Sequence, residues 1–498
     1  MPTAAKLEPV DPAALEAVVG AVVDSGVEAV AVCPLHADLD GAHEAQVADA
    51  LRRRGLDVTA SHELAPEMRE YERTVTTVAN AYLRPRCRTY LGGLASAAPS
   101  VLVMTSAGGL VPAADAAERP AALLLSGPAG GVAAGAAAAV ANGCPDAITF
   151  DMGGTSTDVC LVLGGRPEPA AEREVAGLPV RLPSLDVHTI GAGGGSIARL
   201  DPGGALVVGP ESAGARPGPA CYGHGGTAPT VTDANLVAGH LPAGVVLPGI
   251  GELDRAAAER ALAGAGVTAD GVLAVVNANM EQALRRVSVE RGVDPRRLAL
   301  VAFGGAGPLH ACALADALGL PNVIVPARAG VLSAVGILGS PVQVDVVASR
   351  AEPLDHDGLA DAVDVVAARA EATVRGWLGD ARADVTVTAS LDCRYLGQSH
   401  ELAVPFEPLA GADAWLPAFH AEHERHNGYA RPERPVEVVA VRASAVVPSP
   451  VTIDALPEPS RESAVGPAVL AEPDCTIWVP PGWRADPGAA GALVLTRT

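Results

Sequence analysis

The sequence predicts an α/β fold built on parallel or mixed sheets, in roughly three domains at about 150 residues each. Two observations point to it. Short apolar runs such as Val27–Val32 and Ala147–Phe150 alternate with stretches in which apolar residues return every three or four positions. Hydrophobic residues make up 49% of the 498 and charged residues only 18%, so the chain has material for large cores and is not disordered. Aromatics are only 3%. The cores are therefore expected to consist of Ala, Val and Leu, with close packing at Gly.

Taken in order, residues 12–24 have helical spacing, Val27–Val32 reads as a buried strand, and His43–Arg54 and Tyr71–Leu83 as helices. Val101–Thr105 is a strand. Ser126 to Val140 is a helix of little but Gly and Ala; such a helix suits a close backbone crossing between lobes. Ala147–Phe150 and Val159–Leu163 are strands, followed by a Gly/Pro-rich stretch from His188 to Gly226. Helix Val272–Arg291, strand Leu298–Phe303, helix Pro308–Leu318, strand Val323–Val325 and a second small-residue helix, Ala329–Leu338, come next. From residue 342 the texture changes: helix Leu359–Trp377, strands near 385–392 and 400–405, helix Asp413–His426, strand Val436–Arg442 and a last strand, Ala492–Leu495. The expected organisation is 1–125, 126–341 and a separate α+β domain at 342–498.

Composition excludes several functions. The formal charge of −22 repels phosphate backbones and anionic lipid, so neither nucleic acid nor a membrane is an expected partner. Lys6 is the only lysine, which rules out a Walker-type phosphate loop and, unless Lys6 itself serves, a Schiff-base lysine. The eight cysteines are scattered without a C-x-x-C, as expected of free thiols in a reducing cytoplasm. The N-terminus lacks an apolar signal core. The Gly130–Ala141 run is shorter than the ~20 residues of a membrane span.

The strongest chemical signal is Asp151-Met-Gly-Gly-Thr-Ser-Thr-Asp158 between two apolar strands. A tight turn of Gly153, Gly154, Thr155, Ser156 and Thr157 aims backbone N–H groups and hydroxyls into one concavity, a phosphate nest. Acids at both ends repel a bare phosphate, so a divalent cation, Mg²⁺ by its preference for oxygen, is expected between Asp151 and the nucleotide. A second signal, Phe303-Gly-Gly-Ala-Gly-Pro308, joins a strand to a helix. It lacks G-x-G-x-x-G spacing, and its glycines suit either a nucleoside clamp or a close strand–helix turn.

These motifs, with Gly191–Ser196 (GAGGGS), Gly209–Gly226, Pro229–Asn235 (PTVTDAN), VNANM, Arg285–Gly292 and Ala302–Ala311, resemble the hydantoinase A/5-oxoprolinase family, to which acetone carboxylase β subunits are similar. Ser61–Thr74 (SHELAPEMREYERT), Arg394–Leu402 (RYLGQSHEL) and Val479–Trp483 (VPPGW) extend the resemblance over essentially the whole chain. It implies actin-like ATPase lobes of the sugar kinase/Hsp70 kind, ATP and Mg²⁺ as cofactors, ring opening of a cyclic amide or imide such as 5-oxoproline or an N-substituted hydantoin, and a B-type partner subunit. Asp151–Asp158 matches the family's second phosphate loop, Gly304, Gly305 and Gly307 its adenosine loop, and the two small-residue helices its inter-lobe pair. Family members begin with a further segment carrying a first such phosphate loop, absent here, so the first lobe is expected to be incomplete. An acetone-carboxylase-like ligase and a non-catalytic actin-like binding module are the alternatives.

The resemblance assigns Asp151 to Mg²⁺ or its water, Asp158 as a supporting acid, and Thr155 and Thr157 to phosphate. Asp186 and His188 are candidates for acid–base work or a structural pair. Arg216 suits a substrate carboxylate or a bare surface. Asp233 and Asn235 suit metal or substrate, with a helix cap as the alternative for Asp233. Cys221 lacks an evident base. His420, His423 and His426 fan over ~120° of a helix, a poor arrangement for one ion, and read as a solvated helix end.

Overall fold

In the computed structural model, residues 9–498 are described except 99, 171, 243, 245, 248, 355, 356, 381, 407–411 and 452–455. The chain forms two compact units. The first contains 1–126, 170–184 and 341–449; the second contains 127–169, 185–340 and 450–498.

The first unit has a six-stranded mixed sheet in the order 402–406, 386–395, 436–447, 342–353, 110–112, 102–104. Its core joins Val and Leu of these strands to the buried face of the Leu359–Leu378 helix and to Phe419. A separate two-stranded parallel sheet pairs Ala29–Val32 with Asp57–Ala60. The helix beginning at Glu70 runs through Pro85 to Ala97, past the end expected at Leu83. A buried ion network joins two of the motifs quoted above. Glu67 accepts from Arg181 Nε at 2.9 Å and Arg442 Nη2 at 2.8 Å, while Glu401 accepts from Arg69 Nη2 at 2.9 Å.

The second unit carries the chemistry. In chain order its main elements are α1 (Gly127–Ala141), β1 (Ala147–Met152), β2 (Thr157–Leu163), β3 (Val187–Ile190), α2 (Val231–Ala238), α3 (Ala269–Val287), β4 (Ala299–Phe303), α4 (Gly307–Leu318), β5 (Asn322–Val325), α5 (Leu332–Gly339), β6 (Trp483–Pro487) and β7 (Leu493–Arg497). The sheet order is β3-β2-β1-β4-β5-β7-β6, ending on Ala464–Val465. β1, β4 and β5 are parallel, and β2 and β3 fold back antiparallel. Apart from Asp151 the central strands β1 and β4 are buried, which explains their continuous apolar runs.

α1 and α5 cross on one face of this sheet. A Cβ on Gly336 would lie 1.8 Å from the Gly130 carbonyl oxygen, and one on Gly131 2.6 Å from the Phe303 ring. The expected close backbone approach is therefore present, and both helices belong to the same unit.

The expected C-terminal domain is divided. Residues 341–449 join the first unit, where Val342 pairs with Leu110. β7 pairs antiparallel with β5 in the second, covering what would be an exposed edge. Texture along the chain did not reveal this division because the sheet edge a strand joins is set by partners distant in sequence. Among the described residues no single helix is long and apolar enough to cross a membrane.

Candidate functional site

The β1–β2 connection is a four-residue turn, Gly153–Ser156. Gly153 N–H donates to Ser156 O at 3.1 Å. A second glycine loop locks it from the side: Gly194 N–H donates to Gly153 O at 2.9 Å and Gly195 N–H to Gly154 O at 2.7 Å. A Cβ on Gly193 would stand 2.6 Å from Thr155 N, so only glycine permits this contact. The carbonyls of Gly153, Gly154 and Ser156 are thus occupied. Among the described residues, the N–H groups of Gly154, Thr155 and Ser156 have no protein acceptor. Gly154 and Thr155 are exposed. Three adjacent donors in one bend make a nest for an anion.

Asp151 and Asp158 lie directly opposite each other across the ladder, on the same face of the sheet. Burial, then the neighbouring Asp158, pushes Asp151 up to about 6. Burial also raises Asp158. Ser333 Oγ, in the first turn of α5, donates to Asp151 Oδ2 at 3.4 Å, and Thr189 on β3 donates to Asp158 Oδ1. Two half-buried carboxylates held opposite each other repel, and a divalent cation with oxygen ligands relieves that repulsion. The residues present therefore fit Mg²⁺.

The Gly304–Gly307 loop lies against the same strand end. Phe303 pairs with Asp151, and Ala306 N–H donates to Met152 O at 3.0 Å. Gly304 has φ +78°, and its Cβ would sit 2.4 Å from Asp151 Oδ1. Gly304 and Gly307 are buried and serve this close approach, which leaves Gly305 as the exposed glycine of the three. The two glycine signals, about 150 residues apart, thus meet at one point.

Other candidates do not converge there. Thr157 faces the opposite side of the sheet, fully buried, and its hydroxyl donates to Ala192 O at 2.6 Å, so it is not placed for phosphate. Asp186 pairs with Arg291, roughly 13 Å along β3 from the turn at ~3.3 Å per residue. His188, adjacent to Thr189, points to the face opposite Asp158. Burial, then Arg286, lowers its pKa. Arg216 is exposed, with no carboxylate partner among the described residues.

Asp233 is structural. Its carboxylate accepts from Thr230 N and Oγ1 at 2.9 and 2.8 Å, and from Ala220 N and Cys221 N at 3.2 and 2.8 Å, all within the core. It closes a capping box on α2 and anchors the Gly/Pro loop. Asp233→Ala is expected to cost about 3–5 kcal/mol, as loss of a buried multiply bonded carboxylate does, read as a lower urea midpoint. An unchanged midpoint would contradict that role. Burial, then Asp233, raises the Cys221 thiol well above its usual range, which removes it as a nucleophile.

The three histidines of 412–427 take separate partners. His420 meets Tyr395 OH at 2.8 Å, His426 meets Glu422 at 2.9 Å, and His423 meets Tyr429 O at 2.7 Å. They form no metal site, and His423, only 1% exposed, is core rather than a solvated helix end.

Sequence reasoning missed Ser333, Thr189 and the locking role of Gly193–Gly195. A serine opening a small-residue helix was the available signal for the first.

The hydantoinase/oxoprolinase family profile matches residues 73–346. Caprolactamase subunit alpha of Pseudomonas jessenii is 35% identical over 98% of this chain and 79% of that protein. 5-oxoprolinase 1 of Arabidopsis thaliana is 34% identical over 70% of this chain and 29% of its own length. The crystal structure of ATP-dependent caprolactamase from Pseudomonas jessenii superposes with a TM-score of 0.86, at 33% identity, over 99% of this chain and 80% of that one. With the profile spanning more than half of the sequence and a relative aligned along nearly all of it, the chain belongs to the hydantoinase/oxoprolinase family.

Proposed function

We propose that this chain is the A-type subunit of an ATP-dependent hydrolase of cyclic amides, built on actin-like lobes and working with a B-type partner. The observation that carries the reading is the turn Gly153–Ser156, with three adjacent N–H groups lacking a protein acceptor beside the Asp151–Asp158 pair. The relatives' ATP dependence and lactam substrates support it.

A lactam carbonyl is a poor electrophile because the nitrogen lone pair is delocalised into it. ATP, when bound, supplies the phosphoryl group that withdraws the carbonyl oxygen from that resonance. The protein's part is positioning and charge stabilisation. The N–H groups of Gly154, Thr155 and Ser156 hold phosphate oxygens, and the Thr155 hydroxyl joins them. Asp151 holds the cation or its water, fixed in direction by Ser333. Asp158, tied to Thr189, supports it from across the ladder. Gly304 lets Asp151 and the glycine loop approach without a side chain between them.

The test is phosphate release and ring opening by the chain together with the B-type subunit of the same genome. The substrates are ε-caprolactam, 5-oxoproline, N-methylhydantoin, and acetone with bicarbonate. Phosphate release that requires one of the cyclic amides is expected. Product only in the carboxylation assay would overturn the assignment to hydrolysis, and nucleotide binding without turnover would favour a non-catalytic module.

A further inference from the structure

Two motifs that the phosphate site leaves unused, Pro229–Asn235 and VNANM, meet His310 in one buried network of the second unit. Asn235 Nδ2 donates to Val231 O and to His310 Nε2, both at 3.1 Å. The amide orientation is thereby fixed, because the reverse would set two carbonyl oxygens against each other. Accepting at Nε2, His310 carries its proton on Nδ1 and donates to Asn277 Oδ1 at 2.7 Å. Asn235 Oδ1 accepts from His240 Nδ1 at 3.1 Å. Two polar atoms remain at the ends of the chain: the donor Nδ2 of Asn277 and the acceptor Nε2 of His240.

Both residues line a cavity of about 120 Å³, with Leu273, Leu309, Ala313 and Trp478. The His240 ring stacks on Trp478, centroids 4.7 Å apart and 20° from parallel. The one carboxylate at the wall, Asp316, is paired with Arg497 Nε at 2.9 Å and accepts a hydrogen bond from Trp483 Nε1 at 3.2 Å. Mostly apolar walls with a few placed polar groups are the usual make-up of a small-ligand site.

We propose that this cavity binds a small, flat, uncharged ring that offers an N–H donor beside an oxygen or nitrogen acceptor. Asn277 Nδ2 meets the acceptor and His240 Nε2 meets the donor. With no unpaired positive charge on its walls, the cavity favours a neutral ring over 5-oxoproline, whose carboxylate would lack a partner. Burial holds His310 down near 3 and His240 below its usual range, consistent with neutral rings. Two sources share this chemistry: a neutral cyclic amide substrate, which rests on the proposed function, and the base of a nucleotide.

Calorimetric titration of the full chain with hydantoin and with adenosine tests it. Ala313 is exposed on α4 at the cavity wall, so Ala313→Leu fills the space without touching the network. Asn277→Asp keeps Oδ1 for His310 and removes the donor. Ala313→Leu is expected to weaken the bound ring at least about tenfold, and Asn277→Asp about fivefold to tenfold. Weakening for hydantoin assigns the substrate and weakening for adenosine the base. Failure of both rings to bind, or equal binding by either variant and the unaltered protein, overturns the proposal. ATP turnover is scored in parallel. Turnover with ring binding indifferent to the variants sinks this cavity alone. Ring binding that obeys them without turnover sinks the proposed function alone.

Discussion

Asp151→Asn is expected to lower ATP-dependent turnover about a thousandfold, the scale of a lost group that stabilises transition-state charge, while the fold becomes no less stable. The two effects have one cause. Asp151 is half-buried opposite Asp158, and its pKa rises from 3.8 to about 6. A carboxyl raised in this way contributes its full stability below about pH 3.8 and loses it as pH rises through about 6. Near pH 8 the ionised group therefore costs the metal-free protein about 1–3 kcal/mol, a cost that Asn does not carry. Urea midpoints of the metal-free variant and the unaltered protein should be close near pH 4 and separate in favour of Asn towards pH 8. A variant that is inactive but also less stable at pH 8 would make Asp151 a structural residue.

Gly336→Val is expected to destabilise the second unit by about 3–5 kcal/mol. A Cβ at 336 would stand 1.8 Å from the Gly130 carbonyl oxygen, and Gly130 in turn faces Ser333 O at 2.5 Å from its own Cβ position. Both neighbours are backbone, so no rotamer relieves the overlap and the helices must separate. That movement carries Ser333 away from Asp151, and whatever folds should bind nucleotide poorly. Gly127→Ala, at the start of the partner helix α1 with open space around it, is the control and should melt as the unaltered protein does. Thermal melts of both variants decide the point; near-equal melting would show that the crossing relaxes cheaply.

The fold and the central turn were legible because local pattern and tertiary need agree there. The strand–turn–strand at 147–163 and both small-residue helices lie where periodicity and glycine placed them. The glycine loop at Gly304 reads as a nucleoside clamp or a close strand–helix turn; a close turn packs against Asp151, and the parallel pairing of β1 with β4 follows from two buried apolar strands. What stayed hidden depends on partners distant in sequence. Thr157 reads as a phosphate ligand in the string, yet alternation along β2 turns it to the far face, where Ala192 O takes its hydroxyl. Asn235 carries site-like chemistry but spends it on a buried network, while Asp233 takes the cap that was its alternative reading. The division of residues 342–498 between two units is set by which sheet edge each strand covers, and no local pattern records that. The helix expected to end at Leu83 instead runs through Pro85 to Ala97.

The central claim is that the Gly153–Ser156 turn grips the terminal phosphates beside a cation on Asp151. A crystal structure with Mg²⁺ and a non-hydrolysable ATP analogue tests it most directly. The account predicts phosphate oxygens within hydrogen-bond reach of the Gly154, Thr155 and Ser156 N–H groups and the metal on the Asp151 side of the turn. Nucleotide bound elsewhere, with those three N–H groups facing only water, would contradict it.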